Sequence, residues 1–202
     1  MARETRWVDE EPWGFGWWLP GDRMRRTAHA LLAGGGVWLV DPFEAPGVAE
    51  RVVALGEPRG VIQLLDRHGR DCAAWSDGLG VPHHVVPIGR LGPFEFIPVS
   101  RWRYWRESAL WWPEERVLVT ADALGSLPYF KAGDEPVGVH PLLRLRPPRA
   151  LAAVEPRHVL VGHGRGAHGP DLARTVRDEL RHARRRLPRN WLNAARSTVR
   201  RG

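Results

Sequence analysis

The chain has 202 residues, 43% of them hydrophobic, which suits one domain with its own core and excludes wholesale disorder. Cys72 is the only cysteine, so an internal disulfide is excluded, and no apolar run reaches the roughly 18 residues a membrane span requires. The formal net charge of +7 makes an anionic polymer such as nucleic acid one partner class to weigh, and no membrane partner is expected. The charge is uneven. Much of the excess sits in Arg181, Arg184, Arg185, Arg186, Arg189, Arg196, Arg200 and Arg201, while upstream arginines are interleaved with Asp and Glu. Abundant Arg, Pro, Gly and Ala, with Lys131 as the only lysine, is a bias that genome composition imposes without any function. No hydrophobic leader follows Met1 and a reducing compartment fits the lone cysteine, so a cytoplasmic location is expected.

Residues 26–32 and 37–40 alternate as strands around Gly34-Gly35-Gly36, a connection suited to a hairpin. That glycine run lacks the spacing and following helix of a phosphate-binding loop. Pro42 stops the second strand, and Pro46 opens a short helix with Val48, Val52 and Leu55 on one face and Gly56 at its end. A β-α-β unit follows: an apolar strand over 60–65, a helix over 71–79 and a strand over 84–88 opened by His83-His84. Further strands are predicted at 94–102, 108–112, 116–121 and 158–161, with a long Gly/Pro-rich loop at 125–150. A final helix is predicted from Pro170 to Leu187, with Leu172, Val176, Leu180, Ala183 and Leu187 in one stripe and Pro188 ending it. Residues 1–187 thus read as one domain and 188–202 as a basic tail. The adjacent tryptophans at 17–18 and 111–112 suit a sheet covered on both faces rather than an aromatic platform.

Polar residues gather where predicted strands end: Asp66, His68, Asp71 and Cys72 after the strand at 60–65, Asp122 after 116–121, and His163 after 158–161. Imidazoles and carboxylates converging at strand ends suit Zn²⁺, Fe or Mn²⁺. Cys72, four residues after His68, also reads as a nucleophile or, better, as a small buried hydrophobe. His140 lies in the long loop, within reach of the same region.

The order of these segments resembles the metallo-β-lactamase superfamily. The resembling features are Leu39-Val40-Asp41-Pro42, the run from Leu64 to Cys72, the two strands ending in Thr120-Ala121-Asp122, and Gly162-His163-Gly164. The resemblance spans about residues 27–187. It implies an α/β fold, an αββα sandwich of two mixed sheets with helices on both outer faces. It also implies a metal-dependent hydrolase acting on a small molecule, with Asp122 and His163 as ligands. The family's H-x-H-x-D-H motif is degenerate here. One register aligns Asp66, His68, Arg70 and Asp71 with its positions; the other puts Asp71 and Cys72 on its last two but Arg67 and Gly69 on its first two. The histidine expected before Ala109–Trp112 is also missing, with Arg103 to Glu107 in its place.

The resemblance therefore implies at most one ion, held by His68, Asp71, Asp122 and His163 with or without Asp66, and Asp71 as the residue that orients or deprotonates water. The alternative reading is a non-catalytic member of the fold that binds a protein or anionic polymer, in which Arg67 and Arg70 neutralise the carboxylates instead of a metal. Neither the substrate nor the oligomeric state is readable from the sequence.

Overall fold

The computed structural model describes residues 4–199, with side chains through residue 193; Arg200 and Arg201 of the basic tail lie outside the described residues. Two six-stranded mixed sheets face one another. The first contains β1 (Arg6–Glu11), β2 (Gly14–Trp18), β3 (Ala28–Ala33), β4 (Gly36–Val40), β5 (Pro58–Gln63) and β6 (His83–Val85) in that spatial order. Helices α1 (Val48–Leu55) and α2 (Cys72–Leu79) make the parallel crossovers from β4 to β5 and from β5 to β6. The second sheet uses β7 (Gly89–Leu91), β8 (Phe94–Trp102), β9 (Trp105–Trp112) and β10 (Val117–Thr120). A small ribbon of β11 (Leu124–Gly125) and β12 (Gly138–Val139) precedes β13 (His158–Val161), β14 (Ala167–His168) and α3 (Leu172–Val199). The order in the second sheet is β14-β13-β10-β9-β8-β7, with β10 and β13 parallel.

Composition explains the layers. Every residue of β4 and of β10 is buried, as expected of strands covered on both faces. Trp38, Ile62, Leu64, Phe94, Leu110 and Leu118 belong to the cluster between the sheets. Phe15, Trp17, Leu39 and Val61 meet Val48, Val52, Cys72 and Trp75 of α1 and α2 in a second cluster. Trp17, Trp111 and Trp112 are all buried, so these tryptophans serve packing. The β3–β4 hairpin turns through Gly34 and Gly35, both at positive φ, as a tight two-residue hairpin turn requires.

Two expectations change. Residues 6–18, not predicted as a hairpin, form β1 and β2; the charged Arg6, Glu10 and Glu11 mask an edge strand, and its pairing is irregular between Val8 and Glu11. Helix α3 does not end at Leu187 but continues through Pro188 to Val199, so residues 188–199 extend the helix rather than leave it. Proline removes one helical hydrogen bond. Tertiary anchoring offsets that loss: Asn190 is buried and its Nδ2 donates to the carbonyls of Tyr129 (2.9 Å) and Lys131 (3.2 Å).

Candidate metal centre

Four strand ends build the site. After β4 the chain enters Asp41, at φ 46, whose amide donates to the Ile62 carbonyl and whose Oδ1 accepts from the Leu64 amide at 2.9 Å. Its Oδ2 lies 3.2 Å from Nδ1 of His68, which follows β5. After β13 comes His163, whose Nδ1 donates to the Met24 carbonyl at 2.9 Å. Its flanking glycines are forced: a Cβ on Gly162 would meet the Ala121 carbonyl oxygen at 2.4 Å, and Gly164 has φ +98. Both imidazoles are thus held through Nδ1 by oxygen acceptors, leaving each Nε2 to point inward.

The two Nε2 atoms converge on one oxygen. Asp122 Oδ1, just past β10, is 3.0 Å from His163 Nε2 and 3.2 Å from His68 Nε2. All three ligand atoms lie within 4.8 Å of one another. Neither nitrogen approaches along a hydrogen-bond direction, so this buried Oδ1 is left without a hydrogen-bond partner. Donor atoms on a tetrahedral ion with bonds of roughly 2.0–2.1 Å are themselves about 3.3 Å apart. The orphaned oxygen, the donor set and the spacing therefore fit a cation between the three side chains.

Electrostatics agree. Although burial works against its carboxylate form, the close His163 and His68 imidazoles hold Asp122 far below the usual carboxylate range. Burial likewise opposes charge on His68, but Asp122 and Asp41 push it up to about 9. A site that pulls this strongly for positive charge between its carboxylates is a functional candidate.

Two arginines answer part of that demand. Arg70 is half-buried and donates to the carbonyls of Thr27 (2.7 Å), Asp41 (2.8 Å) and Gly162 (3.2 Å). Burial lowers its pKa. Arg67 lies over the Trp105 ring and donates to Asp122 Oδ2 at 3.4 Å. A fixed guanidinium thus sits at position 70, where one register of the resemblance calls for a carboxylate.

The remaining candidates are placed apart from the three ligands. Asp66 pairs with Arg106 Nε at 3.2 Å. Asp71 precedes α2 and its Oδ2 accepts from the Glu44 amide at 2.7 Å, toward a cleft it lines with Asp22, Arg26 and Phe43. Among the described residues the structure brings together His68, Asp122 and His163 and leaves Asp66 and Asp71 outside that group. The physical reason is what holds them: Asp66 is engaged by Arg106, and Asp71, after the positive-φ turn at Arg70, is held by the Glu44 amide and the Pro42 carbonyl. Cys72 is buried against the helix layer, and burial pushes its thiol up to about 12, which removes it as a nucleophile at neutral pH.

Three residues the sequence reading passed over shape the centre. Glu107 is buried; its Oε1 accepts the amides of Asp122 (3.0 Å) and Ala123 (2.9 Å), and its Oε2 accepts Trp105 Nε1 (2.8 Å). Burial and the repulsion of Asp122 raise it to about 7. Phe130 stacks on His163 with centroids 5.8 Å apart, and Tyr129 joins it beside His140. His140 sits in a box of Trp105, Tyr129 and Phe130, and burial pushes it down to about 4. Its Nδ1 accepts the Leu142 amide, so the neutral ring carries its proton on Nε2 and is a donor, not a base, at neutral pH. The missing signals are simple: a lone Glu in a β-strand and aromatics in a loop carry no motif.

Fold and site together define an αββα sandwich with His68, Asp122 and His163, a group that could hold a metal ion, where strands from both sheets end. No family model and no curated protein sequence matches the chain. Solved structures do. The DIM-1 metallo-β-lactamase superposes with a TM-score of 0.62 at 14% identity, over 91% of this chain and 99% of that one. A metallo-β-lactamase from Erythrobacter litoralis gives 0.57 at 12% identity, over 90% and 95%. The flavodiiron protein from Giardia intestinalis gives 0.57 at 10% identity, over 93% of this chain and 60% of that one. The chain has the metallo-β-lactamase fold.

Proposed function

We propose that the chain is a metal-dependent hydrolase working with one ion on His68, Asp122 and His163. The observation that carries this reading is Asp122 Oδ1, buried, unpaired and faced by two preoriented Nε2 atoms. Zn²⁺, Fe or Mn²⁺ there would supply a lowered pKa for water and polarisation of a carbonyl or phosphoryl oxygen. The chain's own groups do the rest. Asp41 and the Met24 carbonyl fix the imidazole tautomers, and Glu107 fixes the backbone of Asp122. Arg67, half-exposed at the rim, offers a positive charge to an anionic substrate group.

A second reading is favoured by one specific feature. The carboxylates best suited to activate water, Asp66 and Asp71, are engaged elsewhere, and Arg70 stands near the ligands instead. On that reading the fold binds a partner, and its metal, if any, is structural. The separating experiment is elemental analysis of protein purified without chelator, beside His163→Ala and Asp122→Asn. A loss of about one Zn, Fe or Mn per chain in both variants, with a parallel loss of hydrolysis in a screen of esters, lactones and phosphodiesters, supports the hydrolase. Equal metal content in all three proteins overturns it, and ligand-dependent metal without any turnover selects the binding protein.

A further inference from the structure

At the opposite end of β13 from His163 lies a second convergence of ligand atoms. His158, the first residue of β13, is the register partner of His168 in β14, so their side chains share a face. Their Nδ1 atoms face each other at 2.8 Å. Glu11, the last residue of β1, brings Oε1 to 3.5 Å from His168 Nδ1 and 3.9 Å from His158 Nδ1. The three are partly exposed, with side-chain accessibilities of 21% for His158, 31% for His168 and 30% for Glu11. Four residues of chain separate His158 from His163, roughly 16 Å if extended, so this cluster is distinct from the centre above.

His168 Nε2 lies 3.3 Å from Oδ1 of Asp9, a buried residue that also accepts the Gly166 amide and that hydrogen bonding keeps ionised despite its burial. An ionised carboxylate only accepts, so His168 carries its proton on Nε2 and turns the Nδ1 lone pair toward His158 and Glu11. A single proton on His158 Nδ1 satisfies one line of contact in this triangle and leaves the Glu11 oxygen facing a lone pair. A divalent cation satisfies all three. The separations of 2.8, 3.5 and 3.9 Å straddle the roughly 3.3 Å expected between donors on one tetrahedral ion. The carboxylate-histidine pairing of Asp9 with His168 is the support that such ligands ordinarily have.

We infer that Glu11, His158 and His168 form a second divalent-metal site, selective for Zn²⁺ by its two imidazoles and one carboxylate, with a position open to solvent. Glu11 belongs to β1, the edge strand of the first sheet, His168 to β14, the edge strand of the second, and His158 to its neighbour β13. The ion would thus clip the two sheets together at their β1 and β13–β14 edges. The inference is independent of the hydrolase reading and is tested without that centre. In the His163→Ala protein, with Asp122→Asn as a second background, equilibrium dialysis at about 10 µM Zn²⁺ retains one equivalent per chain and raises Tm by roughly 5 °C. Co²⁺ in its place gives the visible bands of a tetrahedral centre. Adding His158→Gln or His168→Gln abolishes the binding, the bands and the Tm shift, and Glu11→Gln weakens all three. No retained Zn²⁺ in either background, or retained Zn²⁺ indifferent to these substitutions, overturns the site and leaves a proton shared between two imidazoles.

Discussion

Substituting Glu179 tests how α3 is held against the loop that carries the aromatic wall of the metal centre. Glu179 and Arg144 have side chains 1% and 0% exposed, and their atoms approach to 3.4 Å. Arg144 Nη2 also donates to the Phe130 carbonyl at 2.7 Å, whereas its Nε and Nη1 have no hydrogen-bond partner. Glu179 has a further cation in Arg186, which Asp178 also holds. The pair is therefore lopsided. Glu179→Leu strands a buried guanidinium on one carbonyl, for which a loss of about 3–5 kcal/mol is expected. Arg144→Leu leaves Glu179 with Arg186, and a loss of about 1–2 kcal/mol is expected. At about 2–4 °C per kcal/mol for a chain of this size, Tm falls by about 6–20 °C in the first variant and by about 2–8 °C in the second. Urea unfolding gives the free energies, and the double variant should recover most of the loss because the stranded charge is gone. Equal costs for the two single variants, or a Glu179→Leu cost below about 1 kcal/mol, would refute the reasoning.

Three other outcomes follow from the geometry. His68 is raised from 6.5 to about 9 in the metal-free protein, so its contribution of about 3 kcal/mol is fully present below pH 6.5 and is lost as pH rises through 9. The urea midpoint of metal-free protein should fall over that window, and His68→Gln, which leaves Glu107 titrating, should flatten that fall. Asp41→Asn keeps a residue tolerant of φ 46 but withdraws the carboxylate from His68 Nδ1, so metal affinity at His163 and its partners should drop about 10–100-fold by competition with a chelator. Cys72 should resist iodoacetamide at pH 8 in the folded protein and react only after denaturation, as mass spectrometry would show; rapid labelling of native protein would contradict its buried placement.

Much of the sandwich was legible because its central strands carry strong local signals. Val117–Thr120 and His158–Val161 are short apolar runs bounded by turn residues, and Asp122 and His163 fall where those runs end. The β3–β4 hairpin was announced by its glycines. Edge strands were not: β1 is charged, and its ladder is defined by a partner rather than by its own pattern. The segment 66–72 illustrates a different limit. Its composition suggests a ligand cluster, but which side chains face inward depends on the positive φ at Arg70, a backbone choice that nothing in the sequence marks. Pro188 misled for the opposite reason, since a rule of local structure yields to the anchoring of Asn190 two residues later.

The ligands are stitched together by two short backbone ladders that cross between the halves of the chain. The Thr27 and Gly164 amides donate to the Gly162 and Arg25 carbonyls, and those of Asp66 and Ser108 to the Arg106 and Leu64 carbonyls. His68 lies 54 residues before Asp122 and 95 before His163 in sequence, so no local fragment can assemble the centre. Closing such distant contacts is slow, and the rate of folding should be set by docking of the two sheets rather than by either alone. On the proposed reading, metal capture would be a late event: an ion arriving at His68, Asp122 and His163 would report that both halves have met, a built-in indicator of completed folding.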